Sequence, residues 1–467
     1  ESARMFKLYI LGGIGHPEHY YGDGSHVNRG CFTEDTEILT DIGWKRGIEV
    51  AKSGGYKLAT VNPKTMSTQF VYPSKVILAP YSGPIINFFN HGGFDLSVTP
   101  NHRILRYRWD SGLKMIQAEN ANKIMFLPST GSGWEGKEEN SFMLPGAKYD
   151  PQSRVHDIPD RVFKMDDWLR FLAWYTTEGN LGNKGFPISI SQKKNNLDSI
   201  FLSLGFSPSK CDNGMRNGVT LYRIHDKAIY KYLQSNICSR SGEKRVPEFI
   251  FSLSRRQRQL FFDELVRGDG HLDKRPNAHS GSYTTKSKEL ADQFQRLAFS
   301  IGLHSIVKFH IRDQFSWYRI LFSCKKNKTV YKSIEEYNGN IWCFTVEPFH
   351  TLVTRKNGCI AISGNSSEQM TEPTFKTIQA RQTFVKNMIS HMFTFVIDQA
   401  IIAGVLPTDI DRSFFITMPE LSLRDLQRTG GAMYRVAQAL ELAESHEWID
   451  KEKASKIFDM VSRQLGF

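Results

Sequence analysis

The 467-residue chain is poor in cysteine, with six, and none of them forms a C-x-x-C pair or stands near a close histidine pair, so a structural zinc site has little support. No run of about 18 apolar residues occurs and no charged-then-apolar leader opens the chain, so a soluble, cytoplasmic protein with free thiols is expected. A single disulfide formed on oxidation stays open. A G-x-x-x-x-G-K-[ST] loop is also missing, which excludes an ATPase that cradles its nucleotide in that way. Glu1 as first residue suggests a fragment of a longer protein. Against these absences, 40% apolar content and the length suit two or three globular domains.

Charge is informative once partitioned. Residues 1–30 carry three basic and three acidic residues, and residues 366–467 carry eleven and thirteen. With +12 overall, the intervening stretch holds +14 and all six cysteines. Two compositional signals therefore break at the same two places.

Motifs stand at those breaks. Residues 342–366 read WCFTVEPFHTLVTRKNGCIAISGNS, an alternating strand, an Asn357-Gly358 turn and a returning strand that stops at Gly364-Asn365-Ser366. An asparagine whose side-chain amide can attack its own carbonyl is followed there by a hydroxyl nucleophile. Upstream, Gly30-Cys31 opens CFTEDTEILT, and FDLSVTPNHRIL sets Thr99 and His102 after another alternating run.

Taken together, the N-terminal Cys with its DTEILT strand, the T-x-N-H box, FTVEPFHTLV and the terminal Asn before Ser make Cys31 to Asn365 resemble an intein of the Hint (hedgehog/intein) fold. The resemblance implies autocatalytic splicing with no cofactor. Cys31 would attack the Gly30 carbonyl to form a thioester, Ser366 would take over the acyl group, Asn365 would cyclise, and residues 1–30 would be joined to 366–467. It assigns His102 to protonating the departing nitrogen, Thr99 to hydrogen-bonding around the same peptide, and His350 to assisting cyclisation. Gly364 replaces a common histidine, which leaves His350 with both jobs or makes cyclisation slow. Cys343 stands where the family often has Asp, as a relay thiol or merely a small buried residue.

Inside the insert, DDWLRFLAWYTTEGNL and RRQRQLFFDELVRGDGHL repeat a helical pattern ending in an acid and a glycine, Glu178-Gly179 and Asp269-Gly270. These resemble the paired helices of LAGLIDADG homing endonucleases. The resemblance implies a β saddle on double-stranded DNA, with Glu178 and Asp269 holding Mg²⁺. Ordinary helix-terminal acids at glycine C-caps are the alternative. Lys193, Lys194, Lys244, Arg245, Lys325 and Lys326 are the candidate DNA-binding residues, among others in a basic crowd that includes Arg255, Arg256, Arg258, Lys274, Lys308 and Lys328. A solvated face is the bland reading of that crowd, and Lys244 and Lys325 are also candidate supporting lysines.

The expected architecture is multi-domain. It has a flanking fragment over 1–30, an all-β Hint domain split between 31–155 and 329–365, an α+β LAGLIDADG domain over 156–328 with two pseudo-repeated helix/sheet halves, and a mainly helical segment over 366–467. Residues 129–153 read as a Gly- and Ser-rich link. The flanks joined together resemble the C-terminal part of a bacteriophage portal protein, which implies assembly into a portal ring and a place in the virion, with no membrane partner. A non-splicing Hint-like β domain fused to a DNA-binding module, with Cys31 inert, and an intein with an inactive endonuclease remain as alternatives.

Overall fold

The computed structural model describes residues 19–20, 30–110, 112–146, 157–193, 196–212, 218–273, 280–365 and 372–407, with a few isolated positions beyond. Ser366, Lys194 and Lys274 lie outside the described residues, as does nearly all of the expected helical segment beyond residue 412. The chain divides into two compact units, Glu1–Glu368 and Gln369–Phe467. In the second, the helix expected after residue 372 is present as a helix over Glu372–Ile402.

The first unit opens with β1 (His19–Tyr20), β2 (Phe32–Thr33), β3 (Glu37–Thr40), β4 (Gly43–Arg46), α1 (Gly47–Ser53), β5 (Leu58–Val61) and β6 (Thr68–Val71). It continues through β7 (Lys75–Phe89), β8 (Asp95–Val98), β9 (Arg103–Arg108), β10 (Gly112–Gln117) and β11 (Ile124–Pro128). The chain returns to this β region at its far end as β22 (Asn327–Thr345), β23 (Thr351–Lys356) and β24 (Cys359–Gly364). The spine is the antiparallel pair β7 and β22, in register from Lys75↔Thr345 to Phe89↔Tyr331. Turn-forming residues cluster inside β7 at Tyr81-Ser82-Gly83-Pro84. Pairing along the whole of β22 carries the strand straight through them, because tertiary hydrogen bonds outweigh local preference.

Between the two β portions lie β12 (Ser141–Leu144), β13 (Arg161–Lys164), α2 (Met165–Glu178), β14 (Gly179–Leu181), β15 (Pro187–Gln192), α3 (Asp198–Ser203), β16 (Ser209–Asp212), β17 (Thr220–His225) and α4 (Lys227–Asn236). They are followed by α5 (Arg255–Asp269), β18 (Gly270–Leu272), β19 (Ser280–Thr285), α6 (Lys288–Ser300), β20 (His304–Arg312) and β21 (Phe315–Ser323). After α2 the strands pair in the order β14-β15-β17-β16. After α5 they pair in the order β18-β19-β21-β20. The described part of the 129–153 stretch is not an open linker. Ser129, Thr130, Trp134 and Leu144 are buried, and the Trp134 indole donates to the Phe251 carbonyl at 2.9 Å.

Two apolar cores result, one under the β region around Cys31, Phe32, Trp342 and Cys343, the other around α2, α5 and α6. The β23–β24 hairpin belongs to both. Ile360 and Ile362 enter the helical core while Cys359 and Ala361 enter the β core, as the two-residue period of a strand requires. Its turn has Asn357 at φ 47° and Gly358 at φ 76°, the left-handed pair that a two-residue hairpin needs.

Candidate functional sites

Strand pairing builds the first site. Phe32 pairs with Trp342 on one side and with Val98 on the other. Carried one residue back, these antiparallel registers set Cys31 across from Cys343 and beside Thr99. Accordingly the Cys31 N–H donates to Thr99 Oγ1 at 2.8 Å, and the Thr99 N–H donates to the Cys31 carbonyl at 3.0 Å. Cys31, Thr99, His102, Cys343 and Asn365 are all buried.

His102 stands between the two ends of the insert. Its Nε2 lies 2.9 Å from Ser363 Oγ, and its ring interacts with the carbonyls of both Gly30 and Gly364. Burial drives its pKa down to about 4 against the opposing pull of those carbonyls, so the ring is neutral at physiological pH. Gly30 lies so close that a Cβ there would sit 2.5 Å from His102 Cα. The Asn365 N–H donates to the His350 carbonyl at 2.9 Å. Neither polar atom of the Asn365 side chain has a hydrogen-bond partner among the described residues. His350, half-buried, adopts φ 53°, which turns the chain into β23.

Gly364 has a local reason. A Cβ there would lie 2.6 Å from the Arg103 carbonyl, because Ser363 pairs with Ile104 and draws β24 hard against β9. A histidine side chain does not fit. Sequence reasoning missed Ser363, although its place two residues before Asn365 on an inward-facing strand was a usable signal.

The second site lies where α2 and α5 end side by side. Gly268 permits the approach: a Cβ there would meet Thr177 Oγ1 at 2.6 Å. Trp174 Nε1 donates to Glu264 across the pair at 3.0 Å. Each helix passes directly into a strand, with Gly179 at φ −82° and Gly270 at φ −101°. These are extended conformations, so the glycines are not left-handed caps. They are needed for space, since a Cβ would strike the Tyr175 and Val266 carbonyls.

The carboxylates at the helix feet sense each other. Asp269 is exposed in an open cleft, yet desolvation by the surrounding protein and then the charge of Glu178 push its pKa up to about 6, against the pull of Lys244. Among the described residues no cluster of three or more His, Cys, Asp or Glu forms a metal cage. Of the two, Asp269 lines an open cleft, and like-charged carboxylates that raise each other's pKa are the kind of oxygen donors a hard divalent cation takes. The same cleft is lined by Thr177, Lys244, Thr285, Lys286, Phe315 and Trp317.

The basic residues separate into two groups. Lys244 is not a surface contact: it is buried, donates to the Tyr175 and Gly179 carbonyls at 2.7 and 2.9 Å, and lies 3.9 Å from the Tyr175 ring centroid. Arg245 clasps the Ser235 and Asn236 carbonyls at the end of α4. Arg258 is buried on Trp134, Arg255 bonds the Ile301 carbonyl and Arg256 pairs with Glu138 and Asp166. These guanidinium groups fasten the fold, because a five-donor fork gathers backbone carbonyls that other side chains cannot reach together. Lys193, Lys325 and Lys326 are exposed. Arg223 on β17 and Arg319 on β21, both exposed on corresponding strands of the two sheets, went unnoticed in the sequence.

Comparison with known proteins bears on this second site. Residues 256–334 match the LAGLIDADG-like domain family. The chain is 23% identical over 392 residues to an ATP-dependent Clp protease proteolytic subunit of Chlamydomonas moewusii, covering 78% of this chain and 36% of that protein. It is 26% identical over 416 residues to an RNA polymerase subunit beta C-terminal section of Stigeoclonium helveticum, covering 72% and 36%. The chain thus spans about a third of these relatives' length. Among solved structures, homing endonuclease I-DmoI variants align with 34% of this chain and 89% of theirs, at 17% identity and TM-score 0.25. A DnaB intein from Synechocystis sp. PCC 6803 aligns with 21% and 69%, at 17% identity and TM-score 0.18. No helix among the described residues is long and apolar enough to cross a membrane.

Proposed function

We propose that residues 31–365 are a self-excising intein carrying a homing endonuclease. The observation that carries this reading is His102, neutral and buried, touching the carbonyls before both Cys31 and Asn365. One ring thus stands at the Gly30–Cys31 bond and one residue short of the Asn365–Ser366 bond, which lies 335 residues further along the chain. The distant relatives fit as well: a protease subunit and a polymerase section have no shared activity, and a common inserted segment explains why each matches over only part of its length.

In this reading Cys31 Sγ attacks the Gly30 carbonyl and gives up its proton to His102, which returns it to the Cys31 nitrogen as the C–N bond breaks. Thr99 Oγ1 orients that nitrogen by accepting its N–H. A resting pKa near 4 makes His102 first an acceptor and only then a donor. Ser366 Oγ then receives the acyl group. The Asn365 side-chain nitrogen closes on its own carbonyl and expels the Ser366 amine, and the ester rearranges to a peptide. Cys343, across from Cys31, and His350, whose main chain holds Asn365, are supporting groups.

The α2–α5 module is proposed to cleave double-stranded DNA. Glu178 and Asp269 would hold Mg²⁺, which when bound lowers the pKa of the attacking water. Lys193, Lys325 and Lys326, with Arg223 and Arg319, would lie on phosphates and base edges. For the flanks, the portal-like phage host, ring assembly and a virion location are proposals resting on their sequence alone.

Expression in reducing buffer followed by mass measurement tests the reading. It requires a joined product of 132 residues (1–30 with 366–467) and a free insert of 335. A single stable 467-residue chain, unchanged by Cys31→Ala, would refute it.

A further inference from the structure

Arg355 is only 3% exposed, yet it sits in the hairpin that delivers Asn365. Its Nε and Nη2 grip the Glu37 carboxylate of β3 at 2.6 and 2.8 Å. Its Nη1 donates to Asp292 at 2.6 Å and to Gln295 at 3.0 Å, both on α6 of the helical module. The guanidinium carbon lies 4.7 Å from the Trp44 ring centroid.

The same helix holds the hairpin elsewhere. Gln295 Nε2 donates to the Gly358 carbonyl at 2.8 Å and to the Ser305 carbonyl at 3.1 Å. Arg296 Nη2 reaches the Asp41 carbonyl at 2.6 Å, beyond β3. Residues 292, 295 and 296 share one helical face by spacing, so a single side of α6 meets the β region with three polar side chains. Through β20, Val307 N–H also donates to the Gly358 carbonyl, and Ile306 pairs with Cys359. At the Asn365 end β24 meets β9 at the bridge Ser363↔Ile104, Ser363 Oγ meets His102, and no side chain of α6 takes part in these contacts.

We propose that Arg355 is a positioning residue for release at Asn365: it locks the β23–β24 hairpin to α6, so that the C-terminal splicing step depends on the helical module while the N-terminal step does not. This deepens the splicing reading and rests on it. The physical reason is that a buried guanidinium tolerates no half-measures. Taking away the Asp292 charge leaves the Nη1 side of this buried guanidinium with neutral acceptors only and loosens the strand from α6, whereas Glu37 still holds Nε and Nη2. Cys31 and Thr99 are held by β8 and β22, whose registers do not pass through Arg355, and His102 is carried on the turn between β8 and β9, its side chain meeting β24 through Ser363 at the end of the hairpin far from Arg355.

Asp292→Asn, Asp292→Glu and Arg355→Lys in the full chain test this. Two rates are followed by mass measurement: thiol-induced cleavage after Gly30, and release of the insert's C-terminus at Asn365. For Asp292→Asn and Arg355→Lys, release is expected to slow roughly tenfold or more, as angstrom-scale misplacement of a reacting group does, with thiol cleavage within about twofold of wild type. Asp292→Glu is expected to recover most of the release rate. Equal loss in both steps, or no loss in either, overturns the coupling. A wild-type chain inert in both steps overturns the splicing reading instead. The coupling then remains open to refutation by amide hydrogen exchange in the Cys31→Ala/Asn365→Ala chain, where Asp292→Asn must accelerate exchange over residues 359–364 more than over residues 95–98.

Discussion

Lys244 offers a perturbation whose magnitude follows from its surroundings. Burial, partly countered by the Cys238 thiol and the Asp269 carboxylate, drives its pKa down to about 7. In the unfolded chain the same amine titrates near 10.4. Between those values the native state binds fewer protons than the denatured state, so stability rises with pH across the window from about 7 to 10.5. Each pH unit is worth about 1.4 kcal/mol, and the whole window about 4 to 5 kcal/mol. The two carbonyls that accept from Nζ and the Tyr175 ring beneath it favour the charged form, which narrows the gain to about 2 to 3 kcal/mol. Lys244→Met carries no titrating group. In an intact Cys31→Ala/Asn365→Ala background, denaturant unfolding followed by tryptophan fluorescence from α2 is therefore expected to show the lysine form gaining about 2 to 3 kcal/mol over the methionine form from pH 7 to 10. Tyrosine and cysteine titrations occur in both and cancel. A flat difference, or one that falls with pH, would refute the buried, depressed amine.

Three further outcomes follow from the geometry. His102→Asn is expected to slow thiol-induced cleavage after Gly30 by roughly 10² to 10⁴-fold; since the wild-type ring titrates near pH 4, the His102-dependent part of that rate should be level between pH 5.5 and 8, and a step near pH 6.5 lost in the variant would contradict this. Gly364→His, which sets in place the histidine common in inteins, should slow release at Asn365 and cost about 1 to 3 kcal/mol in unfolding, because its Cβ overlaps the Arg103 carbonyl. Gly268→Val should abolish DNA cleavage by forcing α2 and α5 apart at Thr177 while splicing products still form on a gel; retained cleavage would mean that the helix feet tolerate separation.

Much of this was legible in the chain because it is local. Alternation and the Asn357-Gly358 turn specify the β23–β24 hairpin, since the backbone conformations a two-residue turn needs are open chiefly to those residues. Apolar spacing likewise marks α2 and α5 almost to the residue, and Cys31, Thr99, His102 and Asn365 can be named from motif alone. Distance and dielectric could not be read there. That Ser363 meets His102, that Gly364 has no room for a side chain, and that Asp269 titrates near 6 all depend on which strand or helix lies alongside. Positive charge is the clearest case: a surplus of lysine and arginine in the sequence suggested a DNA surface, yet Lys244, Arg245, Arg258 and Arg355 turn inward to carbonyls and carboxylates. A sequence counts charges, whereas only the folded chain decides which of them are desolvated and paired, because that requires partners tens or hundreds of residues away.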